Sequence, residues 1–260
     1  MIDKGCKKIM HEAGLVSIIT PTYNCGKFIG ETIESVQKQT YTNWEMVIVD
    51  DCSTDDTKDV VERYLQQDKR IKYHCLTENS GAAVARTKAM ELATGQYMAF
   101  LDSDDLWMPN KLEKQIKFMQ DKNYVFTSTS YQHMNEEGKM LPKVLKAPLK
   151  IDYNRLLLDC PVGNSTVMYD VSKMGKFQVP NIRKRNDDAL WLAMLKKEQY
   201  IHGLDEILMK YRLRNNSISS NKWSLVKYTW RLYRDIEHLS VFTSVWHICW
   251  WGCIKLFRLK

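Results

Sequence analysis

Between residues 15 and 134 the chain repeats one unit: a short apolar run rich in β-branched residues, then a longer amphipathic stretch. LVSIITP leads into KFIGETIESVQKQ, WEMVIVDD into DTKDVVERYLQQ, and IKYHCL follows. A run that is apolar on both faces has to be covered on both faces, and strands separated by helix-length stretches pair in parallel. The alternation therefore predicts an α/β fold with a mainly parallel central sheet. Residues 16–19, 47–49 and 97–101 read most plainly as strands. In open sheets of this kind ligands lie beyond the carboxyl ends of the strands. Both acidic clusters, Asp50-Asp51 and Asp102-Ser103-Asp104-Asp105, fall at such ends.

Past Pro109, a residue suited to the first turn of a helix, NKLEKQIKFMQ sets Leu112, Ile116 and Met119 on one helical face and so assigns them to the core. Gly, Lys and Pro between residues 135 and 148 suggest an excursion, and a second region runs from 151 to 221. The 260 residues accommodate one large α/β domain or two small ones. Seven cysteines, with no C-x-x-C pair and no His at zinc-ligand spacing, fit a reduced cytosolic protein. The opening MIDKGCKKIMHEAG holds no apolar run of signal-peptide length, so the Asn-x-Ser/Thr tripeptides beginning at Asn164 and Asn215 read as chance. The formal charge of +7 suits an anionic partner but does not choose among nucleic acid, a membrane surface and a phosphorylated ligand.

FLDSDD is the most informative string. Two carboxylates one residue apart, just after a strand, can hold a hard divalent ion and leave positions for water and substrate phosphates. A metal bridging a diphosphate stabilises the charge that develops as a nucleoside diphosphate departs. The competing reading is that the acids only solvate a loop or cap the helix near Pro109. VIVDDCSTDDT places a second acid pair at an earlier strand end. Asp51 there suits a nucleobase N–H or a ribose hydroxyl, while Asp55 and Asp56 suit a helix cap. A phosphoacceptor receiver domain also pairs acids at strand ends, but it is complete in about half this length and leaves FLDSDD unexplained.

Taken in order, SIITPTYN, VIVDDCSTDDT, ENSGAAVAR, GQYMAFLDSDD and RNDDALWLAML resemble family two of the GT-A glycosyltransferases, the inverting enzymes of bacterial polysaccharide assembly. The resemblance spans residues 15–222 and implies a GT-A-like nucleotide-binding fold. It divides the chain into a nucleotide-sugar half (15–106), an acceptor half (107–222) and a C-terminal helical appendage (223–260). It implies that Pro21, Tyr23 and Asn24 edge the nucleotide pocket, with Tyr23 against the base. Asp51 would recognise uracil and Arg86 would reach the nucleotide and its phosphates, where a guanidinium suits oxyanions; the alternative for Arg86 is an exposed helical arginine. Asp102 would contact ribose or metal-bound water. Asp104 would bind Mn²⁺ or Mg²⁺ directly, with Asp105 behind it.

The family places a catalytic acid at the start of a late helix, in a pattern close to E-D-x-D-L-W-L. Here the string is Asn186-Asp187-Asp188-Ala189-Leu190-Trp191-Leu192, so Asp187 aligns with the base while Asn186 and Ala189 depart from the commonest version. Asp188 is the alternative base, and helix capping is the alternative role; the positive potential of a helix start keeps a carboxylate there ionised. Arg183, Lys184 and Arg185 form a solvated basic run or help hold diphosphate. In KYRLRNNSISSNK, Tyr211, Arg212 and Ser219 correspond to the segment that closes over the donor. His202, His238 and His247 read as surface or packing residues.

The activity so implied is transfer of a hexose or N-acetylhexosamine from a UDP-sugar to a saccharide acceptor, lipid-diphosphate-linked, in O-antigen or capsule assembly, with no nucleic-acid partner. UDP-glucose, UDP-galactose and UDP-N-acetylglucosamine stay open. A nucleotidylyltransferase would need a Gly- and Arg-rich loop after the first strand, which is absent; the other rival is a silent scaffold of the same fold that binds a saccharide or a membrane. From residue 210 to 260 ten Lys/Arg stand against two Asp/Glu, and five of the eight tryptophans (Trp223, Trp230, Trp246, Trp250, Trp251) lie there. Basic residues interleaved with aromatics suit an anionic membrane interface, hence a cytoplasmic enzyme peripheral to the inner face of the cell membrane. The alternative is that the rings pack the tail onto the domain.

Overall fold

The computed structural model describes residues 11–214 and 222–257. Two parallel strands, β1 (Glu12–Thr22) and β2 (Trp44–Asp50), begin the sheet and pair from Val16↔Trp44 to Thr22↔Asp50. A third, β3 (Ile71–Cys75), adds in parallel outside β2, and β4 (Gly95–Phe100) adds in parallel on the other side of β1. Successive residues of a strand point to opposite faces, and this period sorts the core into two clusters. On one face Val16, Ile18, Met46 and Ile48 pack against α1 (Gly26–Gln37) and α2 (Thr57–Gln67). On the other Ile19, Val47, Val49, Met98 and Phe100 pack against α3 (Ala82–Leu92). Covered on both sides, the strands have no use for polar alternation, which is why their sequence reads as continuous apolar runs.

The chain then places β5 (Leu106–Trp107), α4 (Lys111–Lys122), β6 (Phe126–Met134), β7 (Met140–Leu145), β8 (Lys150–Ile151) and α5 (Tyr153–Leu158). A 3₁₀ turn (Asn164–Thr166), β9 (Met168–Asp170), α6 (Val171–Met174), α7 (Asn186–Leu195) and β10 (Ile201–Arg212) follow. The strand order is β3-β2-β1-β4-β9-β6-β10-β5, with β7 on β6 and β8 on β10. The core face expected for α4 is present: Leu112, Ile116 and Met119 are 0%, 4% and 2% exposed. The parallel pattern holds through β4. Beyond it β9 runs antiparallel between β4 and β6, while β6 and β10 pair in parallel. The excursion after residue 135 is the return arm of a hairpin, β7 pairing antiparallel with β6.

Two features of this sheet position the site. The chain order reverses at β1, which has β2 on one side and β4 on the other, and the carboxyl ends of strands at such a reversal are where open sheets place a ligand crevice. Close packing is enforced by glycines: a Cβ on Gly95 would lie 2.5 Å from the Leu15 carbonyl oxygen, and one on Gly203 would lie 2.1 Å from that of Pro148. The expected helical appendage comprises α8 (Lys222–Arg231), a π turn (Leu232–Ile236) and α9 (Val241–Phe257). Leu232 and Tyr233 enter the core, and the Tyr233 hydroxyl donates to the Leu157 carbonyl at 2.6 Å. Among the described residues no helix is long and apolar enough to cross a membrane.

Candidate active site

At the end of β2 the two acids divide their labour. Asp50 organises the turn that follows: its Oδ1 accepts from the Ser53 N–H and hydroxyl, and its Oδ2 from the Tyr73 hydroxyl at 2.7 Å. Asp51, 3% exposed, accepts from the N–H groups of Ser80 (2.7 Å) and Gly81 (2.8 Å). It therefore clasps the loop that opens α3, and each of its oxygens keeps a second lone pair for a further donor. Asp55 caps more than its own helix. It accepts from the Thr57 N–H at the start of α2 and from the Gly26 N–H at the start of α1, at 3.0 Å each. Asp56 makes no side-chain cap.

Beside this turn Pro21 is buried within β1, and Asn24 sits in the left-handed region (φ 46°) that asparagine tolerates. Its Oδ1 accepts from the Thr54 N–H at 2.8 Å and its own N–H donates to the Ser53 hydroxyl. Both residues thus fix the loop, and Tyr23, 48% exposed, is the ring that the loop presents.

After β4 each carboxylate has its own partner. Asp102 Oδ1 accepts from the Arg86 guanidinium (3.1 Å) and the Asn164 amide (2.7 Å). Asp104 is paired with Arg214 at 3.1 Å; burial and the Asp102 charge push its carboxyl up, and Arg214 opposes them. Asp105 is buried, accepting from the Ser165 hydroxyl (2.6 Å) and the Arg212 N–H (3.0 Å). Burial, with Asp104 and Asp102 close by, pushes its carboxyl well above the usual range. Its place behind Asp104 is thus a structural one. Arg212 is buried too, donating to the Asp104 carbonyl (2.8 Å) and to Glu31 (2.6 Å), so it anchors the end of β10. Tyr211 packs among Tyr131 and His133, and Ser219 lies outside the described residues.

Arg86 links these acids to the start of α7. It is 5% exposed, and its guanidinium donates to Asp102 and to the side-chain oxygen of Asn186. The exposed helical arginine is thereby set aside. Asp187 and Asp188 occupy the first turn of α7, preceded by Arg185 in a left-handed conformation (φ 60°). That turn folds Arg185 back onto Asp188, with the two paired at 2.6 Å. Asp187 joins no ion pair among the described residues. Burial first, then the Asp188 charge, push its carboxyl up to about 6, while Arg86 pulls the other way. The helix start alone would hold it ionised; here desolvation outweighs that field. A carboxylate poised near neutrality suits a general base.

Of the basic run before α7, Arg185 is taken by Asp188, and exposed Arg183 lines a groove of about 350 Å³ with Ser80, Gly81 and Arg231. His202 stacks on Tyr124 at 3.5 Å, His247 packs on Tyr233, and His238 is exposed, as expected of packing and surface residues. Sequence reasoning missed Asn164 and Ser165. Ser165 donates to Asp105 and accepts from the Asp102 N–H at 3.0 Å, and the buried Asn164 Oδ1 has no hydrogen-bond partner among the described residues. The available signal is an uncharged polar tripeptide set between Val162 and Val167, which in sequence has the form of a glycosylation pattern. Arg214 lies in the KYRLRNNSISSNK segment, where sequence reasoning singles out Tyr211, Arg212 and Ser219 instead. Among the described residues no group of three or more His, Cys, Asp or Glu could hold a metal ion.

Residues 17–179 match the family described as "Glycosyl transferase family 2". The chain is 50% identical over 232 residues, 89% of this chain and 92% of the other, to a protein of Bacillus subtilis (strain 168) named as a teichuronic acid biosynthesis glycosyltransferase, TuaG. It is 42% identical over 226 residues, 85% of this chain and 86% of the other, to the Escherichia coli UDP-Glc:alpha-D-GlcNAc-diphosphoundecaprenol beta-1,3-glucosyltransferase WfgD. Among solved structures, S. aureus TarS 1-349 in complex with UDP-GlcNAc superposes with a TM-score of 0.66 at 21% identity, covering 90% of this chain and 70% of that one. The mannosyltransferase PcManGT from Pyrobaculum calidifontis, in complex with GDP-Man and Mn²⁺, does so with a TM-score of 0.63 at 17% identity, over 92% and 73%. The two structures share the fold.

Proposed function

The chain belongs to glycosyl transferase family 2, and on that premise we propose that it moves a hexose or N-acetylhexosamine from a UDP-sugar onto a lipid-diphosphate-linked saccharide in cell-surface polysaccharide synthesis. The observation that carries this reading is the Arg86 tie, which joins Asp102 at the end of β4 to the start of α7, where Asp187 stands without an ion-pair partner among the described residues. The name of the WfgD relative, which specifies UDP-glucose and a GlcNAc-diphosphoundecaprenol acceptor, supports the substrate classes. In this reading residues 15–106 hold the donor, residues 107–222 the acceptor, and residues 223–260 form a basic, aromatic helical tail seated on the domain by Leu232 and Tyr233.

The reaction is a single displacement. The acceptor hydroxyl oxygen attacks the anomeric carbon from the face opposite the diphosphate. As that C–O bond forms, the bond from the same carbon to the phosphate oxygen breaks, and UDP leaves with the electron pair. Asp187 takes the hydroxyl proton, and the anomeric configuration inverts. Tyr23 offers its exposed ring to the base, while Pro21, Asn24 and Asp51 fix the loops that border it. Asp102 and the unpartnered Asn164 Oδ1 offer acceptors to donor hydroxyls. Arg86 holds both sides in register.

The acids after β4 fit Mn²⁺ or Mg²⁺ by their chemistry: hard oxygen donors one residue apart, with Asp104 partly open and its carboxyl strained by the Asp102 charge. Asp104 would be the protein ligand, and the donor diphosphate would fill further positions. When bound, the ion neutralises charge on the departing diphosphate. Arg214, now 3.1 Å from Asp104, has to give way there. Incubation with a panel of UDP-sugars and a synthetic GlcNAc-diphosphate-lipid, read by product mass, tests the proposal. The gain of one sugar residue on the acceptor is expected; no product with any donor overturns it.

A further inference from the structure

The C-terminal helix is turned the wrong way round for a protein surrounded by water. The face of α9 that meets the domain carries Ser244, 0% exposed, His247, 9% exposed, which packs on Tyr233, and the partly buried Ile248. The outward face carries Val241 (52% exposed), Phe242 (90%), Val245 (47%), Trp246 (55%) and Trp250 (43%). Their spacing is that of one helical stripe. Taking about 200 Å² for each aromatic side chain, the exposed parts of this stripe amount to roughly 500 Å², a patch of the size that marks an interaction site.

We propose that α9 is an in-plane docking helix that lies flat on an anionic lipid bilayer and holds the catalytic helix α7 at a fixed attitude to it. Charge argues for that partner. No Asp or Glu occurs from residue 238 to the end of the sequence, whereas Lys255, Arg258 and Lys260 follow the aromatic stripe. Tryptophan beside Lys and Arg is the composition that settles at a headgroup layer. Among the described residues the 17 of α9 reach about 25 Å, short of the about 20 apolar residues that a crossing takes. A second copy of the chain is a poorer match, because roughly 500 Å² falls short of the ~800 Å² per partner that a stable pair buries.

The seat of the helix is rigid. Glu237, just ahead of α9, accepts from the Tyr153 hydroxyl of α5 and pairs at 2.8 Å with Lys196, the residue that ends α7. A bilayer held against α9 is therefore tied, through the Glu237–Lys196 pair, to the helix whose other end carries Asp187, and through Tyr153 to α5. The proposal rests on the reading of the acceptor as lipid-linked for its purpose, but not for its existence.

The test uses the full chain, with vesicles of phosphatidylcholine alone or mixed with phosphatidylglycerol. Wild type is expected to sediment with the mixed vesicles and to shift its tryptophan emission to the blue, and Phe242→Glu with Trp246→Glu to lower the partition coefficient at least tenfold. Both side chains are exposed, so the thermal midpoint should not move, and Phe242→Leu should bind nearly as wild type does. The charged variant should keep transfer to a water-soluble acceptor and lose transfer to the same saccharide on a vesicle-borne lipid. Equal sedimentation of wild type and charged variant overturns the docking role. So does a dimer in lipid-free buffer that the charged variant dissociates, since a second copy would then cover the stripe. Vesicle binding by wild type without transfer to either acceptor upholds docking and overturns the acceptor assignment alone.

Discussion

Asp187 and Asp188 are adjacent and chemically identical, yet their settings predict opposite responses to the same substitution. The Asp187 carboxyl is pushed up to about 6, so about nine-tenths of it is ionised at pH 7 and about one-tenth at pH 5. As the general base it should give kcat/KM an acid limb near pH 6, falling about tenfold per pH unit below it. Asp187→Asn should cost ~10²–10⁴-fold in the transfer step and leave UDP-sugar affinity nearly unchanged. Stability should move the other way. The folded-state value lies above the ordinary carboxylate value, so the charged form burdens the fold above about pH 6 and the burden vanishes below about pH 4. Removing the charge should therefore raise stability at pH 7.5, by at most about 2–3 kcal/mol. Asp188→Asn instead breaks the 2.6 Å pair with Arg185 and should lower stability by about 1–3 kcal/mol. It also removes the second-largest influence raising the Asp187 value, so the acid limb should move to lower pH while activity persists. Single-turnover transfer at saturating substrates, donor calorimetry and thermal unfolding across pH report all of this. A dead Asp188→Asn beside an active Asp187→Asn, or an acid limb that stays in place in Asp188→Asn, would refute the reasoning.

Asp104→Asn should abolish metal-stimulated turnover in a Mn²⁺ titration, whereas Asp105→Asn, buried against Ser165 and Arg212, should keep most of that stimulation. Because Arg214 occupies Asp104, Arg214→Gln should tighten Mn²⁺ binding in the absence of nucleotide, measured calorimetrically; unchanged affinity would show that the pair does not compete with metal. Ser165→Ala deprives buried Asp105 of a 2.6 Å hydrogen bond and should cost about 1.5–3 kcal/mol in denaturant unfolding. Gly203→Ala forces a methyl against the Pro148 carbonyl and should cost about 1–3 kcal/mol, with donor binding by the surviving folded protein unaltered.

Residues 15–134 were legible because burial on both faces leaves a mark that a linear sequence can carry: β-branched runs for β1 and β2, and a helical stripe at Leu112, Ile116 and Met119. The acids were legible because strand ends are where an open sheet binds ligands. What stayed hidden depends on partners distant in sequence. Strand β9 has three residues, too few to show a period, and its antiparallel direction is set by β4 and β6, far away in the chain. Asn164 and Ser165 meet Asp102 and Asp105 across some sixty positions. Whether Asp187 or Asp188 stands free depended on one left-handed residue, Arg185, which no propensity would have placed there.

The guanidinium of Arg86 touches one residue from each half of the molecule, Asp102 and Asn186. Where the family pattern commonly carries an acid at the position of Asn186, this chain offers a neutral amide, and the positive charge of Arg86 stays committed to Asp102 and to the field at Asp187. The three positions are thereby made epistatic. Glutamate at 186 would draw the guanidinium from Asp102 and add a negative charge beside Asp187, so one substitution would alter the hold on Asp102 and the charge of Asp187 at once.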